Sequence, residues 1–349
     1  MRQVAVVSFA QSPSVRRETD LNEVEMLMPV VHEAVARSGL AMREIGFTVS
    51  GSSDYLAGGP FSFVSALDAV GAWPPIVESH LEMDGAFALY EAWVKLQTGE
   101  ADSALVYAFG KSSLGDVAEV VTLQLDPYYV APLWPDAVSL AALQARAFLE
   151  ASGKSERDLA AVAVRSRRDA RKNPMAQLAG EWSVEDVLKD PYLVAPLRRH
   201  DCPPISDGAA AIVLASADRA RDLCERPAWI TGFAHRVDSP GLGVRDLTDA
   251  PSATAAARDA GLDGGIEVVE LHAPFTHQEL LLRRCLGLAD DVALNPSGGV
   301  LTGNAMFAAG LARIGWAARS ILGGTAQRAA GHATSGPALQ QNLVCVMSA

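Results

Sequence analysis

Two carboxylates, Glu82 and Asp84, stand directly ahead of a strongly apolar run with helical spacing. Met83, Phe87, Tyr90 and Val94 share one face, with Ala86 and Trp93 beside them. The helix from Asp84 to about Gln97 is therefore apolar around most of its circumference and should be central and buried. A carboxylate at such an opening can cap free N–H groups and complement the helix dipole. Kept ionised by that dipole, it can also serve as a general base. Asp84 is expected to cap; for Glu82 both uses stay open. A second feature is the positive run Arg165, Arg167, Arg168, Arg171 and Lys172, in a chain of net charge −12. At helical spacing Arg168, Arg171 and Lys172 fall on one side, which suits nucleotide phosphates or a solvated face. Four cysteines (Cys202, Cys224, Cys285, Cys345) are scattered without any Cys-x-x-Cys pair that would suggest zinc or redox work. Their apolar or helical surroundings suit buried thiols in a reducing compartment.

The elements that must position these groups alternate between short aliphatic runs and longer helical patterns, which indicates an α/β sheet buried on both faces. Strands are expected at Val4–Phe9, Phe47–Gly51, Ala104–Phe109, Ala209–Ala215, Ile230–Ala234, Ile266–Leu271 and Asn342–Met347. A first helix, about Glu23–Ser38, should end at Gly39, which can adopt the left-handed cap conformation. Residues 112–200 are more charged and richer in proline and tyrosine, with helical stretches at about Val138–Ser152 and Glu156–Lys172. They read as a helical insertion between two strands of a first half. A β-rich pattern restarts at Pro227, dividing the chain into 1–226 and 227–349, as its length of 349 residues also favours. Leu125–Trp134 is apolar, aromatic and turn-rich, suited to an acyl tunnel or a dimer interface. An apolar content of 49%, 20% charged residues and a pI near 5.0 describe an ordinary soluble globular chain. This balance argues against non-specific nucleic-acid binding and against an acidic membrane surface. The N-terminal apolar run is too short for a signal peptide or membrane span, so a cytoplasmic location is expected.

An ordered set of motifs spans nearly the whole chain. Lys172-Asn173-Pro174 with Ala176-Gln177 is followed by Val194-Ala195-Pro196-Leu197-Arg198 and by Asp201-Cys202-Pro203-Pro204-Ile205-Ser206-Asp207-Gly208. Val268-Val269-Glu270-Leu271-His272-Ala273-Pro274-Phe275-Thr276, Asn295-Pro296-Ser297-Gly298-Gly299 and Gly331-His332-Ala333-Thr334-Ser335-Gly336 complete it. In these residues the chain resembles the thiolase superfamily, in its sterol-carrier and lipid-transfer branch. The resemblance implies a five-layered α/β/α/β/α fold of two similar halves with a helical insertion, and usually a homodimer. It also implies acyl-CoA bound through the insertion, with coenzyme A entering as part of the substrate. No metal or covalently held cofactor is expected.

Site positions follow from the same resemblance, with departures. The Cys-x-x-Gly nucleophile motif of thiolases is matched by Glu82-Met83-Asp84-Gly85, so glutamate replaces the thiol. His272 falls where the branch has a histidine that holds the thioester oxygen. The Gly-His-Pro motif is matched, across a one-residue gap, by Gly303-Asn304-Ala305, so Asn304 replaces the activating histidine. His332 matches the second catalytic cysteine, where this branch has histidine able to shuttle a proton. Arg165, Arg168, Arg171 and Lys172 are the candidate phosphate contacts. Three functions are compatible with this set. An aldolase-type lyase on a β-hydroxyacyl-CoA needs a base and an oxyanion site but no nucleophile. Some such proteins act on steroid side chains with a zinc-ribbon/OB-fold partner. A non-catalytic acyl-CoA or lipid-binding scaffold is the second function, and a conventional acyltransferase the third.

Overall fold

The aliphatic runs pair into one ten-stranded sheet system in the computed structural model, which describes residues 2–57 and 61–349. The first five strands are β1 Val4–Gln11, β2 Phe47–Gly51, β3 Glu78–Leu81, β4 Ser103–Lys111 and β5 Asp207–Ser216. The second five are β6 Ala228–Val237, β7 Val268–Glu270, β8 Ala293–Leu294, β9 Arg328–Ser335 and β10 Gln341–Ser348. Their order is β3-β2-β4-β5-β1 in the first set and β8-β7-β9-β10-β6 in the second. Numbered within its own set, each runs third, second, fourth, fifth, first. The parallel and antiparallel pairings also match: the outer three are parallel, and the fourth–fifth and fifth–first contacts antiparallel. Among the described residues the sets are joined in the sheet by β1 pairing with β6, through Ala5↔Trp229 and Val6↔Ala228.

Period-two alternation distributes side chains between layers. Val4 and Val6 of β1 join a core with α3 Gly85–Thr98 and α8 Ala309–Leu322, and Leu343, Cys345 and Met347 of β10 enter it from the other sheet. Ala5 and Val7 face α1 Glu23–Ser38 and α2 Ser62–Val70. Val344 and Val346 face α6 Pro251–Asp259 and α7 Thr276–Cys285. Five layers result, with α3 and α8 in the middle. The insertion carries α4 Ala137–Ser152 and α5 Glu156–Asp169, and a small hairpin of Tyr192–Val194 with Leu197–Arg198. Among the described residues no helix is long and apolar enough to cross a membrane.

The structure adds a strand that none of the expected runs covers: Arg328–Ser335, which holds most of the Gly331–Gly336 motif, is paired along its length with β10. Its small residues answer to packing: a Cβ on Gly331 would lie 2.5 Å from the Ile314 Cα of α8. Close approach also sets the opening of α3. A Cβ on Gly51 would lie 2.6 Å from Gly85 N and 2.8 Å from Met83 O. Gly51→Ala is therefore expected to destabilise by about 1–3 kcal/mol through a displaced helix opening. The urea midpoint checks it, and an unchanged midpoint would contradict it.

Candidate active site

The middle helices open side by side because a single carboxylate caps both. Asp84 is the N-cap of α3 and accepts from Ala86 N at 2.9 Å. It also accepts from Gly310 N at 2.8 Å and Leu311 N at 3.0 Å in the first turn of α8. Burial pushes its carboxyl up to about 6, against these three N–H donors. Phe307, left-handed at φ 70°, turns its carbonyl to accept from Gly85 N at 2.7 Å. Glu82 lies outside the helix and side-chain exposed (47%), its Oε1 accepting from Asp54 N at 2.9 Å. Its Oε2 is 3.6 Å from His80 Nε2, and His80 is held by Ser50 Oγ at 2.9 Å and stacked on Phe63.

His272 follows β7, and its backbone N donates to His332 O on β9 at 3.2 Å, which sets the two histidines on neighbouring segments. Both rings are buried. Burial, then the neighbouring His332 and Arg313, lower His272 to about 3; burial lowers His332 to about 4. Both are neutral at pH 7. Neither Nδ1 has a partner among the described residues. His332 Nε2 lies 2.9 Å from Asn342 Oδ1. Asn304 is placed by its backbone N, which donates to Ser206 Oγ at 2.9 Å, and Ser206 Oγ donates to Gln177 Oε1 at 2.6 Å. The Asn304 side-chain oxygen is buried without a partner among the described residues. Glu82 makes no hydrogen bond to His272, His332 or Asn304 among the described residues.

The recognisable motifs mostly hold this site in place. Asn295 Oδ1 accepts from Leu271 N at 2.6 Å, and its Nδ2 donates to Glu279 at 2.7 Å. Ser297 donates from both N and Oγ to Glu270, at 2.9 and 2.7 Å. Arg313 of α8 meets the same carboxylate at 2.7 Å, with both side chains almost fully buried. Asp207 accepts from Glu18 N at 2.8 Å and Ser113 N at 3.0 Å, so it too is a brace.

The basic run divides. Arg165 turns inward and places a guanidinium nitrogen 2.6 Å from both oxygens of buried Glu279, so its expected place on a phosphate is taken by an internal ion pair. Arg167 is buried against Leu301 O. Arg168 pairs with Asp169 and Arg171 with Glu181, both on the surface, and Lys172 is exposed beside them. Asn342 and Arg313 were not singled out in the sequence, and Ser206 and Glu270 stood there only as members of motifs; their contacts reveal what they do.

No protein-family model matches the sequence. An acetyl-CoA acetyltransferase of Methanothermobacter thermautotrophicus is 30% identical over 269 residues, 68% of this chain and 70% of the relative. The chain belongs to the thiolase superfamily. The 17-hydroxy-3-oxo-4-pregnene-20-carboxyl-CoA lyase of Mycobacterium tuberculosis is 29% identical over 250 residues, 66% of this chain and 62% of that one. A chain of the Ltp2-ChsH2(DUF35) aldolase superposes with a TM-score of 0.83 at 21% identity, covering 99% of this chain and 98% of the other. Three thiols of this thiolase-superfamily member are held in their neutral form. Burial pushes Cys202 up to about 12 and raises Cys345 and Cys285 as well. A thiol so raised is a poor nucleophile.

Proposed function

We propose that this protein is a carbon–carbon lyase of retro-aldol type acting on a β-hydroxyacyl-CoA such as a lipid or steroid side chain. The observation that carries this reading is the pair of buried, neutral imidazoles whose Nδ1 atoms have no partner among the described residues; the sequence resemblance puts Glu82 at the nucleophile position. In cleavage, Glu82 takes the β-hydroxyl proton while the Cα–Cβ bond breaks and the hydroxyl carbon becomes a carbonyl. The electron pair moves to the thioester enolate, whose oxygen His272 and Asn304 hold by hydrogen bonds. The proton taken up by Glu82 passes through solvent to the free Nδ1 of His332, which delivers it to Cα, so that none is gained or lost. Low dielectric around buried donors strengthens the hold on the enolate. The exposed Arg168, Arg171 and Lys172 face serves the coenzyme A phosphates.

Two relatives support the class: the mycobacterial protein is named as a lyase of a steroid carboxyl-CoA, and the structural neighbour is named an aldolase with a DUF35 component. By the likeness to the DUF35 aldolase the working assembly includes a partner protein of that kind; the homodimer is proposed from the sequence resemblance alone, and the cytoplasmic location from the N-terminal sequence. The experiment incubates the protein, alone and with such a partner, with acyl-CoA and β-hydroxyacyl-CoA panels. Glu82→Gln is expected to lower release of aldehyde or ketone by about 10²–10⁴-fold while acyl-CoA binding persists. Acyl exchange with free CoA that survives Glu82→Gln would overturn this role. Binding with no turnover by the wild-type protein would favour the scaffold function.

A further inference from the structure

We infer that Asn342 is a positioning residue: it locks His332 into the tautomer with hydrogen on Nε2, leaving Nδ1 as the free proton acceptor. This rests on the reading of His332 as the proton shuttle at Cα. Asn342 is fully buried on β10, and its Nδ2 donates to Leu339 O at 2.8 Å and to Ser252 Oγ at 2.7 Å. Leu339 O is a carbonyl and only accepts. Ser252 Oγ spends its own hydrogen on Gln340 O at 3.2 Å, so towards Asn342 it too accepts. The amide therefore has one orientation, with Oδ1 towards His332 Nε2 at 2.9 Å. An oxygen there requires a hydrogen on Nε2, and a neutral ring has no second one for Nδ1.

The turn that presents these carbonyls is strained. Ala338 and Leu339 are consecutive non-glycine residues at φ 52° and 59°. Such conformations persist only where neighbours over-determine them. Here Arg245 donates to Pro337 O at 3.0 Å and Ala338 O at 2.7 Å, and Gln144 Nε2 reaches Ala338 O at 3.4 Å. A ring poised in this way takes a proton before it gives one. In the reverse direction Nδ1 removes a Cα proton, the electron pair passes to the enolate oxygen, and the proton returns to the same carbon. Cα hydrogen exchange is thus a partial reaction that needs no β-hydroxyl and no second substrate.

The test combines a spectroscopic and a chemical readout. Proteins with ¹⁵N-labelled histidine are compared by long-range ¹H–¹⁵N correlation at pH 7, with His332→Gln assigning the ring. The expected wild-type signature is hydrogen on Nε2, lost or mixed in Asn342→Leu, and partly mixed in the milder Ser252→Ala. In D₂O, wild-type protein is expected to wash deuterium into the Cα position of propionyl-CoA, read by mass spectrometry. That rate should fall at least tenfold in Asn342→Leu and by a smaller factor in Ser252→Ala, with little change in KM. A wild-type ring carrying hydrogen on Nδ1 overturns the proposal, and that measurement needs no folded Asn342 variant. No exchange by wild-type protein that binds propionyl-CoA overturns it as well, as does unchanged exchange in a variant whose tautomer has shifted. Normal exchange and the Nε2 signature, with no β-hydroxyacyl-CoA cleaved, would sink the lyase reading and uphold this one.

Discussion

Glu270→Gln is expected to destabilise the protein by about 3–5 kcal/mol, because it strands a buried cation. Arg313 sits on α8 in the central layer, almost wholly shielded from water, and the Glu270 carboxylate is its charge partner at 2.7 Å. Burial raises Glu270 and lowers Arg313, while each opposes the shift of the other. Taking away one charge leaves the cost of burying the other in full. Arg313→Met should be comparably harmful for the opposite reason, softened by the two donors of Ser297 that still reach the carboxylate. The double variant should cost clearly less than the sum, because a neutral amide and a thioether need no compensation. Urea midpoints of the two singles and the double check this. Additive effects, or singles within about 1 kcal/mol of wild type, would contradict a coupled buried pair. The pair links β7, the Asn-Pro-Ser-Gly-Gly turn and α8, so its loss should also loosen His272, two residues beyond Glu270.

The central strands were legible because β-branched and aliphatic residues in a two-sided sheet make continuous apolar runs. Ala104–Phe109 and Ala209–Ala215 are of this kind. β9 was not legible, since contact with α8 demands alanine and glycine, and that composition hides the strand signal. β3, Glu-Ser-His-Leu, sits at the sheet edge with polar residues and lacks the run. The family motifs pointed to His272 and His332, which are buried, and to Asn304, which is partly buried. They could not locate Asn342, whose importance lies in three contacts across a turn rather than in any local pattern. Nor could spacing sort the basic run. Arg165 has a buried carboxylate from α7 beside it and Arg168 does not, a difference that only tertiary packing makes.

Asp84→Ala is expected to cost about 3–5 kcal/mol, since it orphans three buried N–H groups at once, at about 1–3 kcal/mol each before relaxation. An ordinary cap serves one helix; this one serves two, so its loss also removes what aligns α3 with α8. The pH dependence tests the arrangement further. With the folded carboxyl raised from 3.8 to about 6, the native state holds the proton more tightly than the unfolded chain. The linked stability is therefore complete below pH 3.8 and is lost as the pH rises through about 6. Buried His272, His277 and His332, all lowered, act oppositely: their contribution falls as the pH drops below 6.5. Both proteins contain these histidines, so the difference between wild type and Asp84→Ala isolates the carboxyl. That difference should be larger at pH 4 than at pH 7, measured from urea unfolding at both. A gap that instead widens with pH would mean that the ionised form is the one the fold favours. Two helix N-termini and the Arg313 charge would then outweigh burial, and Asp84 would be a fixed anion at the base of the site rather than a group poised to take up a proton.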